Sequence, residues 1–142
     1  MTPSKSSLPP ARNGLLFMCV GNTARSQMAE GFARMLGPAE LTFFSAGTKP
    51  REVHPTAVRA MKEVGIDISG YTAKGVDGVP MDRIATIVTL CDDQACPRIA
   101  EGVSHLHWPL PDPAVYEQGS DDELLAFRRV RAELREFISR LF

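Results

Sequence analysis

The sequence predicts an α/β fold, a three-layer sandwich in which a four-stranded parallel sheet carries helices on both faces. Three observations support this class. Four short apolar segments alternate with helical patterns, the 142 residues match the size of one domain, and the chain contains no internal repeat. Strands that alternate with helices in so short a chain pair in parallel through right-handed crossovers. Ligands of such sheets bind at the carboxyl ends of the strands, so a functional site is expected at that edge.

The first residues, 1–13, are polar and rich in proline and serine (MTPSKSSLPPARN). They contain no continuous apolar stretch of the kind found in secretory signals. We therefore expect a disordered leader at 1–13, a single catalytic domain at 14–142 and a cytoplasmic location.

Charge and composition exclude several classes of partner. The 16 basic and 17 acidic residues give a formal net charge of −1, without the cationic excess that binds nucleic acid or an anionic membrane surface. No apolar run approaches the roughly 20 residues that span a bilayer. The three cysteines are too few for a disulfide scaffold, which leaves packing, metal ligation or redox chemistry as their uses.

The first predicted unit is a strand, a tight loop and a helix. The segment GLLFMCV at 14–20 is apolar throughout, as in a strand buried on both faces, and breaks at Gly21. Apolar residues then recur at helical spacing over 26–36, and Gly37 ends the helix. Those apolar residues are Met28, Phe32, Met35 and Leu36.

Three further strands and two helices complete the pattern. The strands are predicted at 41–47, 84–90 and 103–108. Helical or loop material at 91–101 separates the last two. The second helix opens at Pro55, directly after His54, and closes at Gly65. The third helix begins at a capping-box pattern over 120–123 and is amphipathic.

The loop after the first strand carries the pattern C-x5-R-S, from Cys19 to Arg25 and Ser26. Backbone N–H groups that turn inward at a helix N-terminus form a concave site for a tetrahedral oxyanion such as phosphate, sulfate or arsenate. Gly21 and Asn22 tolerate the positive φ that a tight cradle needs, and arginine offers a planar fork to two oxygens. The helix dipole and the arginine favour a thiolate at Cys19, to which Ser26 can donate a hydrogen bond. The predicted oxyanion-binding residues are Val20, Gly21, Asn22, Thr23, Ala24, Arg25 and Ser26.

Asp112 is the predicted proton donor. A nucleophile that attacks an oxyanion needs an acid for the departing oxygen, and a carboxyl group on another loop of the same sheet edge can supply it. Asp112 follows the fourth strand in PLPDPA, where the flanking prolines restrict the backbone. Considered without the cysteine loop, the segment is better explained by a plain Pro-Asp-Pro turn.

From Gly14 to the C-terminus the motifs resemble the low-molecular-weight protein tyrosine phosphatase superfamily and, within it, the thioredoxin-coupled arsenate reductases. The segments that carry the resemblance are CVGNTARSQMAEG at 19–31, FSAG at 44–47, VTLC at 88–91 and HWPLPDPA at 107–114. The resemblance implies the fold predicted above, with Cys19 as nucleophile, Arg25 binding the oxyanion and Asp112 as the acid. Phosphatase members usually have an aromatic residue after the Asp-Pro pair and a second cysteine in the loop. Here those residues are Ala114 and Ala24, and both differences point away from a tyrosine phosphatase.

The resemblance also concerns cofactors. It implies a potassium ion near the loop, held by Asn22, Glu30, Ser45 and Asp67. It implies no tightly bound organic cofactor.

The number of cysteines separates a reductase from a phosphatase. Ester hydrolysis needs one thiolate and a water, whereas reducing arsenate to arsenite needs two electrons, which two thiols supply as they form a disulfide. We predict a relay in which Cys19 forms the arsenic adduct, Cys91 attacks Cys19 and releases arsenite, and Cys96 then attacks Cys91. Thioredoxin reduces the resulting disulfide, and weak phosphatase activity is expected alongside.

The spacing of Cys91 and Cys96 imposes a condition on this relay. Residues five apart on a helix have Cα atoms roughly 8 to 9 Å apart, beyond the roughly 7 Å limit for a disulfide. The segment must therefore unwind on oxidation, which Pro97 favours. Relatives commonly have six residues between these cysteines, where this chain has four.

Two other functions fit some of the same residues. A phosphatase would use only Cys19, Arg25 and Asp112. A zinc-binding regulator would use Cys91, Cys96, His105 and His107, since alternate residues of a strand face the same side and all four side chains are zinc ligands.

Overall fold

The computed structural model describes residues 12–19, 24–47, 51–91 and 103–142. Four strands form one parallel sheet in the order β2-β1-β3-β4. They are β1 (Gly14–Cys19), β2 (Thr42–Gly47), β3 (Ile84–Thr89) and β4 (Ser104–His107). All six residues of β1 are buried, because a central parallel strand is covered on both faces. The predicted α/β class with a four-stranded parallel sheet is confirmed.

Three α-helices are described: α1 (Arg25–Leu36), α2 (Pro55–Lys62) and α3 (Asp121–Leu141). Capping hydrogen bonds explain where two of these helices begin. The Ser120 hydroxyl accepts the Glu123 N–H at 3.1 Å, as the capping-box pattern indicates. The His54 ring caps α2, since its Nδ1 accepts the Thr56 N–H at 3.0 Å. Within the described ranges, no helix combines the length and apolar character needed to cross a membrane.

The two faces of the sheet are covered by different kinds of element. One apolar cluster joins Leu15 and Phe17 of β1 to side chains of all three α-helices. The other joins Leu16 and Met18 to the segment 76–83, which contains two 3-10 turns. This division follows from the alternation of side chains along a strand. The segment 92–101, for which helical or loop structure was predicted, lies outside the described residues.

The last turn of α1 differs from the prediction. Met35 and Leu36 were expected on its apolar face but are 50% and 37% exposed. From Arg34 onward the helix faces solvent, while Ala29 and Ala33 share the core with the earlier apolar residues. Helical spacing alone did not reveal where the packed surface ends.

Asn13 was assigned to the leader but makes contacts with the domain. Its carbonyl accepts the Thr42 N–H at 2.9 Å, and its Nδ2 donates to the Glu40 carbonyl at 3.3 Å. Residues 1–11 of the predicted leader lie outside the described residues.

Candidate active site

The end of β1 and the chain segments that follow β3 and β4 meet at one edge of the sheet. Cys19 is the last residue of β1. Where the chain leaves β3, the Leu90 N–H donates to the Met18 carbonyl at 2.8 Å. Beyond β4, the Leu110 N–H donates to the Leu90 carbonyl at 3.0 Å. Backbone hydrogen bonds therefore hold these segments together at the edge where the sequence predicted a site.

Cys19 is a buried free thiol beside the start of α1. Its Sγ lies 2.9 Å from the Ser26 Oγ, which brings together the first and last residues of the C-x5-R-S pattern. A hydroxyl donor and the positive end of a helix both stabilise a thiolate. Of the predicted oxyanion loop, Ala24 is buried just before α1, and residues 20–23 lie outside the described residues.

Arg25 is the first residue of α1, and its side chain is buried. Its Nη1 donates to the Leu110 carbonyl at 2.9 Å, so the guanidinium is held against the chain beyond β4. Asp112 lies two residues after Leu110 and directly before a 3-10 turn. Its Oδ1 accepts the Ala114 N–H at 2.9 Å. This bond fixes one oxygen of the carboxylate, so the turn orients the predicted acid.

A cavity of about 360 Å³ borders Asp112. Its walls include Val115, Tyr116 and Leu125, which are exposed, and the side chain of Arg129. None of these four residues stands out in the sequence, because their approach to Asp112 depends on how α3 packs against the turn. The one local signal was an aromatic residue, Tyr116, four positions after the aspartate.

Cys91 lies two residues beyond β3, is buried and is disulfide-bonded, whereas Cys19 is free. Cys96 is the remaining cysteine of the sequence and lies outside the described residues. A sulfur in a disulfide is not the thiolate that zinc binds.

The two histidines of the zinc-binding alternative are exposed residues of β4. His105 Nε2 and His107 Nδ1 approach the Thr89 Oγ1 at 2.9 and 2.7 Å, so both rings are held by one buried hydroxyl. In the described ranges, no three His, Cys, Asp or Glu side chains are grouped as a metal site. Together with the bonded state of Cys91, these contacts speak against the zinc-binding alternative.

Glu30, one helical turn after Ser26, is a buried carboxylate with several partners. Its Oε1 accepts the Ser45 hydroxyl at 2.7 Å and lies 3.8 Å from the Lys74 Nζ. Its Oε2 accepts the Arg34 Nε–H at 2.9 Å. No local pattern in the sequence marked Lys74, because the residue reaches Glu30 from a distant loop.

The predicted potassium ligands are only partly brought together. Glu30 and Ser45 are in contact, and Asn22 lies outside the described residues. Asp67 is exposed, and its Oδ1 accepts the Ser69 N–H at 2.8 Å. Hydrogen bonds from Ser69 lower the pKa of this carboxyl, so Asp67 has a partner of its own.

Known proteins share this fold and much of this sequence. The family described as low molecular weight phosphotyrosine protein phosphatase matches residues 14–142. The arsenate reductase of Bacillus subtilis is 44% identical over 123 residues, which are 84% of this chain and 88% of that protein. A solved arsenate reductase in a phosphate-binding state has a TM-score of 0.78 and 34% identity, covering 91% of this chain and 95% of that one. The arsenate reductase from Archaeoglobus fulgidus has a TM-score of 0.76 and 31% identity, covering 89% and 97%.

Proposed function

The chain belongs to the low molecular weight phosphotyrosine protein phosphatase family, and from that membership we propose that it reduces arsenate to arsenite. The observation that carries the proposal is the position of Cys91. It follows β3, the strand that pairs with β1, and Cys19 is the last residue of β1. A second thiol at this edge supplies electrons that ester hydrolysis does not need. The relatives that are arsenate reductases support the same function.

In the first step, the Cys19 thiolate bonds to the arsenic of bound arsenate. One oxygen leaves as water after it has been protonated, with Asp112 supplying a proton. We assign Arg25 and the backbone N–H groups of residues 20–26 to binding the remaining oxygens. The 2.9 Å contact between Ser26 Oγ and Cys19 Sγ supports this step, because a hydroxyl donor stabilises the attacking thiolate.

In the next steps, two electrons pass to arsenic. The Cys91 thiolate attacks the Cys19 sulfur, the sulfur–arsenic bond breaks with its electron pair left on arsenic, and arsenite departs. Cys96 then attacks Cys91 in the Cys19–Cys91 disulfide, which frees Cys19. A disulfide-bonded Cys91 together with a free Cys19 is the state that this order of events leaves behind, which supports the relay.

We assign the reduction of the final disulfide to thioredoxin. We assign the reaction to the cytoplasm, where thiol reductants return such disulfides to the thiol state. Residues 91 and 96 must leave helical geometry to bond, and an unwound segment exposes the disulfide to a protein reductant. Every electron in this scheme passes through cysteine sulfur, so no resident organic cofactor takes part.

Hydrolysis of a phosphate ester is the second candidate function. The residues assigned to the first step, Cys19, Arg25 and Asp112, are sufficient for it, and the family itself is named for it. We assign weak hydrolysis of small aryl phosphates to this chain as a side activity.

The experiment that tests the proposal measures NADPH oxidation that depends on arsenate. The purified protein is assayed with thioredoxin and thioredoxin reductase, and in parallel with glutathione, glutaredoxin and glutathione reductase. We expect sustained oxidation with the thioredoxin pair. Hydrolysis of p-nitrophenyl phosphate without arsenate-dependent oxidation in either system would instead identify a phosphatase.

A further inference from the structure

We propose that Lys74 supplies the positive charge that a potassium ion would otherwise bring to Glu30, so that this chain needs no such ion. Glu30 is buried, and the Lys74 Nζ lies 3.8 Å from its Oε1. The same ammonium group donates to the Thr72 carbonyl at 3.4 Å. A covalently attached cation therefore faces the buried carboxylate.

The charges around Glu30 do not fit an additional cation. Arg34 bonds Oε2 at 2.9 Å while Lys74 faces Oε1, so two fixed positive charges already face one negative charge. A free cation at Oε1 would lie close to the Lys74 ammonium, and the two like charges would repel one another beside a carboxylate that is itself buried. Asp67, the second carboxylate expected at such a site, is exposed and bonded to the Ser69 backbone instead.

The oxygens near the Lys74 ammonium are of the kind that hard cations prefer. Besides Glu30 and the Thr72 carbonyl, the Ser45 Oγ lies 2.7 Å from Glu30 Oε1. The Gln27 Oε1 lies 3.5 Å from that hydroxyl. Carboxylate, carbonyl and hydroxyl oxygens suit such ions, and an ammonium group is similar to potassium in charge and size. Removing the ammonium should therefore leave a place that potassium can fill.

Backbone and side-chain contacts connect this cluster to the nucleophile. The Lys74 carbonyl accepts the Gly47 N–H at 2.9 Å, and Gly47 pairs with Cys19 across the sheet. From α1, the Gln27 amide donates to the Thr72 carbonyl at 3.0 Å. The Lys74 backbone is thus bonded to the end of β2 while its ammonium faces Glu30, which makes Lys74 a positioning residue.

The test compares thermal unfolding in sodium chloride and potassium chloride at equal ionic strength. Lys74→Met keeps most of the side-chain length and removes the charge. We expect its Tm in sodium to fall by about 2 to 4 °C and to recover in potassium, because an ion that binds only the folded state stabilises it. Wild-type protein should have the same Tm in both salts. Arg59→Met removes an exposed positive charge of α2 and is the control, for which the two salts should give equal Tm values.

Thermal unfolding does not depend on the reaction, so this inference and arsenate reduction can fail separately. A second readout is arsenate turnover by Lys74→Met, which should slow in sodium and recover in potassium. A wild-type Tm that is higher in potassium than in sodium would overturn the inference. So would a Lys74→Met protein that has the wild-type Tm in sodium, or one that potassium does not rescue.

Discussion

Cys91 is a residue that arsenate reduction needs and ester hydrolysis does not. Changing Cys91→Ser should abolish arsenate reduction and leave hydrolysis of p-nitrophenyl phosphate intact, because only reduction needs a second thiol. Both activities are measured on one preparation, with thermal unfolding as the check that the buried serine is tolerated. Loss of both activities in a folded protein, or retention of both, would contradict the relay.

Replacing Cys96 should affect arsenate reduction differently from replacing Cys91. In Cys96→Ser no thiol remains to attack Cys91, so the protein should release about one arsenite and stop as a Cys19–Cys91 disulfide. Peptide mapping without reductant identifies the bond, and a rapid-mixing assay counts the arsenite. Sustained turnover by this variant would contradict the proposed order of attack by Cys91 and then Cys96.

Asp112 can be tested without disturbing the turn that holds it. In Asp112→Asn the side-chain oxygen still accepts the Ala114 N–H, but the amide cannot supply a proton. We expect kcat to fall by about 10²- to 10⁴-fold, the range for a lost general acid, with little change in Tm. Asp122→Asn, which alters an exposed wall of the neighbouring cavity, is the control and should keep most of the activity. Equal kcat values in the two variants would remove Asp112 from the mechanism.

Among the elements, the starts of α2 and α3 are joined by the buried carboxylate of Glu123. The Thr56 hydroxyl donates to its Oε1 at 2.5 Å, and the Gly119 N–H donates to the same oxygen at 3.1 Å. The His54 Nε2 lies 3.5 Å from the other oxygen. The hydrogen bonds to Oε1 offset part of the cost of burying this carboxylate, so the cluster fixes the two helix starts relative to one another.

Thr56→Val tests this link with a side chain of similar shape. Removing the donor should lower the free energy of unfolding by about 1 to 3 kcal/mol, because a buried acceptor then loses a partner. Urea unfolding measures the change, and Thr42→Val, at an exposed position of β2, is the control. If the free energy of unfolding falls equally in the two variants, the hydrogen bond from Thr56 to Glu123 does not contribute to stability.

For the molecule as a whole, the end of α2 is tied to α3 by charged side chains. Glu63 bonds Arg128 at 2.6 Å and Arg131 at 2.7 Å. The Arg128 hydrogen bonds, followed by the Arg131 hydrogen bond, lower the pKa of Glu63 from 4.5 to about 2. Since the carboxyl releases its proton more readily in the folded state, the pair stabilises the fold above about pH 4.5 and loses that effect as pH falls towards 2.

This shift predicts how stability depends on pH. Glu63→Gln should have a lower Tm than wild type near neutral pH, and the difference should shrink as pH falls through the range from 4.5 to about 2. The effect should be small and weaker in high salt, because the group is exposed. Glu52→Gln, at another exposed position, is the control. A Tm difference that stays constant with pH would show that the ion pairs are not its cause.

The strands could be predicted to different degrees. β1 was identified from an unbroken apolar run, and all six of its residues are buried. The four residues of β4 are exposed, so its place in the sheet depends on pairing with β3 more than on burial. The exposure of Met35 was missed because spacing indicates which side of a helix is apolar and does not indicate how far its neighbours extend.

The sequence by itself determined the features that neighbouring residues create: the apolar strands, the Ser120 cap and the C-x5-R-S loop with its Cys19–Ser26 contact. The tertiary structure alone decided which distant residues meet, such as Arg25 with Leu110 and Lys74 with Glu30. The physical reason is that local backbone preferences and hydrophobic period act over a few residues. Contacts across the chain arise only when the elements pack, and they depend on the geometry of every element between the two residues.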